Sequence, residues 1–191
     1  MTKEKLAIHI KERRNLIGTV LKHIESIAKY ANQNKAFKDA FTTIYIPLQN
    51  FIYIELFKLF DKSGSDAKMN NIYALICMIE TEDKKYNKKL SKYQADIDAI
   101  GNRRNSYFAH DTGKNPTEIF SQKKISSLKS LLKCIAEICC AANKELYPNV
   151  FTSNVKTFDN WCYMAINSIN EIKEINAKNI LNENYHNNLA K

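Results

Sequence analysis

Glycine and proline are scarce, with four and three in 191 residues. A β-sandwich or barrel uses turn residues far more freely, so the scarcity favours a few long helices joined by short loops. It also excludes a glycine-rich phosphate loop, and none is present. No Cys-x-x-Cys or His pair stands at ligand spacing, which argues against a zinc site. The five cysteines (Cys77, Cys134, Cys139, Cys140 and Cys162) are odd in number and irregularly spaced. They read as small buried hydrophobes of a reducing compartment. The most apolar run, residues 44–60, is interrupted by Gln49, Asn50, Glu55 and Lys58 and is too short to span a membrane. The N-terminus lacks the apolar core of a secretory signal. The expectation is a cytoplasmic protein that needs no membrane, metal or cofactor.

What the chain does contain is ordinary globular composition, 45% hydrophobic and 26% charged, with a net charge of +9. That balance argues against wholesale disorder. Helical periodicity recurs along the chain. A first helix is expected over 3–31 and a second over 35–60, the latter apolar nearly all round. Such a helix lies at the centre of a bundle or at a subunit interface. Pro47 removes a backbone donor within it, so a kink or break is expected near 43–47. Residues 61–66 form the clearest loop. A short helix over 70–79 and a longer one over 81–110 follow, then a second loop at 111–118. Two further helices are expected, one ending at Tyr147-Pro148-Asn149 and one over 152–182. The fold class is all-α: a single-domain antiparallel bundle of five to six helices over 1–183, with a frayed tail at 184–191.

Chemistry concentrates near the end of the fourth expected helix. Arg104 is followed by polar Asn105, four more residues and then His110, in the run RNSYFAHD. That arrangement resembles the Arg-polar-x4-His motif of HEPN domains, an all-helical family that includes many RNA-cleaving toxins. The flanking residues are similar to abortive-infection proteins of the AbiU type. The section 36–80, a long helix, a loop and a short helix, carries the resemblance further upstream. The resemblance implies a HEPN-like bundle, a toxin or anti-phage effector, metal-independent cleavage of an RNA substrate, and a homodimer with two facing motifs. It also admits a cognate antitoxin as a partner.

In such a site His110 supplies proton transfer, since imidazole titrates near neutrality. Arg104 presents a planar, permanently charged fork to phosphate oxygens. Asn105 can orient substrate or imidazole. Helix geometry raises a difficulty. On an ideal helix Arg104 and His110 lie about 120° apart, whereas Arg103 falls within about 20° of His110, with Tyr107 on the same side. Either Arg103 contributes, or the helix is distorted, or another subunit completes the site. Asp111 is the only carboxylate beside His110. A helix-terminal basic pair, favoured by the helix dipole, is the structural alternative for Arg104 and His110.

Residues 84–93 hold five lysines (Lys84, Lys85, Lys88, Lys89 and Lys92) with Tyr86 and Tyr93 between them. They are expected on the helix that carries the motif, and such a pattern suits RNA binding. A solvated helix face explains them nearly as well. Lys123, Lys124, Lys129 and Lys133 form a second cluster. Arg13 and Arg14 interrupt the apolar stripe of the first helix, where snorkelling would accommodate them. His9 and His23 read as boundary residues and His186 as inert. Two other functional readings stand beside the nuclease: a HEPN-like dimerisation or partner-binding module without catalysis, and a basic helical nucleic-acid-binding protein.

Overall fold

A computed structural model describes residues 1–31, 34–62, 70–80, 84–104, 120–146 and 155–189. Among these residues there are seven helices and no strand. They are α1 (Lys3–Ala31), α2 (Lys35–Phe60), α3 (Ile72–Ile79), α4 (Lys85–Ser91), α5 (Gln94–Arg104), α6 (Gln122–Ala142) and α7 (Val155–Leu189). The all-α expectation holds, and the bounds of α1 and α2 fall where periodicity put them.

The core forms around α1. Leu6, Ile10, Ile17, Leu21, Ile24 and Ile27 recur every three to seven residues and are fully buried or nearly so. This stripe packs against α2, α6 and α7. On α6, Ile125, Leu128, Leu132, Ile135, Cys139 and Ala142 form the matching face. Burying each large aliphatic side chain stabilises the fold by roughly 1.5–3 kcal/mol before entropy is counted. The helix starts are fixed by side chains. Asn34, Asn71 and Ser121 accept from the backbone N–H three residues on, capping α2, α3 and α6. Asn71 is itself buried, and its amide donates to the Asp61 carbonyl at 2.6 Å, tying the start of α3 to the end of α2.

Several expectations need correction. Helix α2 runs unbroken through Pro47. It packs on α1, α3, α5 and α7, with Phe37, Tyr45, Ile52, Leu56, Leu59 and Phe60 buried and the rest of its apolar residues partly or fully exposed. The large apolar side chains left exposed lie mainly on α7: Trp161, Tyr163, Met164, Ile172, Ile175 and Ile180. The all-round apolarity of α2 suits its central position among these helices. The single helix expected over 81–110 is two, α4 and α5, separated by a turn in which the Tyr93 N–H donates to the Leu90 carbonyl. Helix α7 continues to Leu189, past the expected end at 182.

Arg14 does not snorkel. Its side chain is buried, with Nε donating to the Leu132 carbonyl of α6 at 2.9 Å and a terminal amine to Asn15 Oδ1 at 2.9 Å. Burial lowers its pKa, while the neighbouring Cys139 and Cys140 act in the opposite direction. Burial likewise pushes the Cys139 thiol up to about 12, so it stays neutral in the core. Cys134 and Cys162 are buried too, whereas Cys77 is exposed. Arg14 thus pins α1 to α6 by a charge-assisted bond in an apolar setting. Arg14→Ala, which leaves a cavity, should destabilise the protein by about 2 kcal/mol. Arg14→Met, which fills the space without a buried charge, should cost less than about 1 kcal/mol. Urea denaturation of the two variants measures both.

Candidate functional site

The candidate motif begins at the C-terminal end of α5. Arg104 is its last residue, and Asn105, Tyr107, His110 and Asp111 lie outside the described residues. What the structure describes is how the two ends of the motif-bearing segment are held. On the upstream side, the Arg103 guanidinium sits 5.7 Å from the centroid of the Tyr53 ring on α2. On the downstream side, Phe120 packs edge-on against the same ring with centroids 5.6 Å apart. One aromatic side chain therefore receives both flanks. The electron-rich ring face attracts the guanidinium, and the edge-to-face arrangement suits the aromatic pair.

Two further groups on α2 reinforce the downstream flank. Tyr45 is buried, and its hydroxyl accepts from the Phe120 backbone N–H. Burial raises the pKa of Tyr45, with the Phe120 N–H and the Gln49 side chain acting against the rise. Gln49 is a buried polar residue one turn further along α2. A buried amide and phenol in an otherwise apolar helix satisfy each other and a backbone donor, which is what burial of polar groups requires.

A polar node joins α5 to α6 beneath this platform. Asp96 accepts from Lys124 Nζ at 3.0 Å and from the Ser127 hydroxyl. Burial alone would raise the Asp96 carboxyl, but the Ser127 and Lys124 hydrogen bonds and the Lys124 charge together hold it below the usual carboxylate range. Burial raises Tyr53 as well; the Arg103 charge opposes that rise and the Asp96 charge adds to it. Tyr53 therefore keeps its phenolic proton at neutral pH. Sequence reasoning found neither Tyr53 nor Ser127. Tyr53 lies on α2, some fifty positions before Arg103, and no local pattern links the two.

The lysines expected to bind RNA are sorted by their surroundings. Lys89 is bound to Glu137 on α6, and Lys85 lies 5.6 Å from the Tyr86 ring centroid. Lys84, Lys88 and Lys92 are exposed. All five belong to α4 or its flanks rather than to α5, which ends on Arg104. In the second cluster, Lys124 pairs with Asp96 and Lys129 with Glu25 at 2.6 Å, so both link helices. His9 approaches Arg13 at 3.5 Å, and Arg13 pairs with Glu55 at 3.0 Å. His23 is half-buried, and burial lowers its pKa.

The AbiU2 family model, a HEPN model, matches residues 3–156. The chain belongs to the AbiU2 HEPN family. No curated protein and no solved structure matches it. The match extends well beyond the 36–110 stretch on which the sequence resemblance rests. It takes in α1 through α6, and α7 lies almost entirely beyond it. This AbiU2 protein is thus an abortive-infection-related HEPN domain with a long additional helix. Among the described residues no helix is long and apolar enough to cross a membrane, and no group of three or more His, Cys, Asp or Glu is placed to hold a metal ion.

The contact between Tyr53 and Arg103 is measurable. In a double-mutant cycle of Tyr53→Leu and Arg103→Gln, the coupling energy should be about 1 kcal/mol. Tyr53→Phe retains the ring and should preserve most of it. Thermal unfolding of the four cycle members and of Tyr53→Phe gives the comparison.

Proposed function

We propose that this AbiU2 HEPN chain is a metal-independent endoribonuclease that acts as a toxin or anti-phage effector. The observation that carries the proposal is the Arg104-Asn105-x4-His110 spacing inside the family-matched span. The anchoring of both flanks of that segment on α2 supports it, because a catalytic segment needs a rigid base. Arg103 has a structural role against Tyr53, which leaves Arg104 as the arginine for phosphate.

The chemistry follows from the side chains. A histidine removes the proton from a ribose 2′-OH, and the oxygen attacks the adjacent phosphorus. Arg104 stabilises the charge that develops on the phosphoryl oxygens. A second proton donor releases the 5′ oxygen and leaves a 2′,3′-cyclic phosphate. One imidazole serves poorly as both base and acid. A two-fold homodimer brings two His110 side chains to one composite site and resolves the difficulty.

His110→Ala and Arg104→Ala should each reduce cleavage of single-stranded RNA by at least about 10²-fold, the usual scale for losing a general acid or base. Both should also abolish any growth toxicity while leaving the fold intact. Arg103→Ala should lower stability but cost less activity than Arg104→Ala; the reverse ranking would hand the phosphate contact to Arg103. His9→Ala and His23→Ala should be silent. Full activity in His110→Ala overturns the nuclease reading.

Metal and assembly are tested separately. Cleavage should survive EDTA, and loss with rescue by magnesium or manganese would refute the mechanism. Sedimentation should find a dimer at micromolar concentration, burying at least about 1,200 Å² in total.

A further inference from the structure

Helix α7 is 35 residues long, and it enters the core along one face of its first half. Cys162 and Ile166 are buried, and Ala165 and Ile169 pack against the core from its edge. From Asn170 to Lys178 every residue is exposed. A second apolar face of this helix stays open to solvent. Trp161, Met164, Ile172 and Ile175 are 67%, 63%, 58% and 57% exposed, and Ser168 between them is exposed too. At about 100° per residue these five lie within about 40° of the Ser168 direction, whereas Cys162 and Ile166 lie about 120–160° from it. The stripe and the core-facing side are therefore different faces. Single exposed hydrophobes are ordinary surface, but four large ones along one helix face form the kind of patch that marks an interaction site.

The spacing of the stripe says what fits it. The steps from Trp161 to Met164, Ser168, Ile172 and Ile175 are three, four, four and three residues. Their mean, about 3.5, is the repeat at which two helices pack side by side along their length. The order of steps also reads the same in both directions from Ser168. A second α7 laid antiparallel, with the two Ser168 residues facing, sets Trp161 level with Ile175 of the other copy and Met164 level with Ile172. Large then meets medium, and the small serine sits at the two-fold axis, where the helices approach most closely. A parallel pair would instead bring the two bulkiest side chains, both Trp161, to one level. Between 161 and 175, Glu171 is the only charged residue within about 60° of Ser168. Its two-fold mate would stand about 9 Å away along the helix axes, so no like charges are forced together. Covering both stripes and their rims removes on the order of 1,200 Å² from water, the lower end of what specific, stable interfaces bury.

We propose that α7 binds a second copy of this chain, antiparallel about Ser168, through Trp161, Met164, Ile172 and Ile175. The contact lies on the helix that extends past the family-matched span. It is separate from the motif-facing homodimer proposed above and holds whether or not the motif cleaves RNA.

The test uses the full chain and its single tryptophan, Trp161, whose emission reads this face of α7 without a label. From nanomolar to hundreds of micromolar, the emission maximum should move to shorter wavelength as the indole leaves water, in step with a doubling of the sedimenting mass. Ile172→Glu and Met164→Lys, both at exposed positions, should each abolish the shift and leave the circular dichroism unchanged. Mixed in equal amounts, the two variants should recover it, because the register sets the introduced acid level with the introduced base. A mixture of Ile172→Glu with Ile175→Lys, which the register keeps apart, should not. Arg104→Ala and His110→Ala should leave the shift as it is, so this contact and the motif-facing one fail independently. Emission that stays fixed at every concentration overturns the proposal, whatever the mass does. Recovery in the control mixture overturns it too, as does loss of the shift in either motif variant. A shift that appears only when anionic phosphatidylglycerol vesicles are added assigns the stripe to a lipid surface and likewise overturns it.

Discussion

Helix α1 has to be covered along its whole length. A 29-residue helix with a continuous apolar stripe draws most of its stability from packing, because alone in water that stripe would remain exposed. Helices α2, α6 and α7 all lie against it, and Arg14, placed on the buried side, donates hydrogen bonds to the α6 backbone and Asn15. Once α2 is fixed by this packing, its other face becomes the platform for the motif-bearing segment. Tyr45 and Tyr53 are eight residues apart, just over two turns, and present adjacent surfaces to Phe120. The site region is therefore built on the second layer of the core, one helix removed from the post around which the molecule folds.

The sequence was most informative where one periodic signal dominated. The stripes of α1 and α6 announce their helices through spacing alone, whereas the caps Asn34 and Ser121 emerge only from the structure. The same logic failed where no breaker residue marks a break. Residues 84–104 contain good helix formers and a single glycine near the far end, so they read as continuous, yet the chain turns at Lys92 and Tyr93. That turn lets Leu90 and Ile97 both point into the core, a demand of tertiary packing that local propensity does not encode. Arg14 shows the converse. Its position on the stripe was visible, but only the third dimension supplies the Leu132 carbonyl that makes burial tolerable.

The candidate site divides along the same line. The Arg104 and His110 spacing is a local signal, and the family match includes it. The residues that hold its flanks come from α2, far away in sequence, and belong to no motif. The lysines were legible as a charge cluster but not as individuals. Lys89 and Lys129 are tied to carboxylates on other helices, whereas Lys84, Lys88 and Lys92 are exposed. Charge counting locates a basic region, and geometry sorts its members.

Helix α7 begins where the family match stops, yet it does not stand apart from the domain. Cys162 and Ile166 are buried, the helix lies against α1 and α2, and Asn170 accepts from the Asn34 side chain at 2.8 Å. Asn34 is the cap of α2, so the start of the helix that supports the motif is tied to a residue outside the family-defined region. A fragment cut at the family boundary would uncover one side of α1 and remove that tie. The packed unit of this chain therefore extends beyond its recognisable domain, into a helix that the family match does not cover.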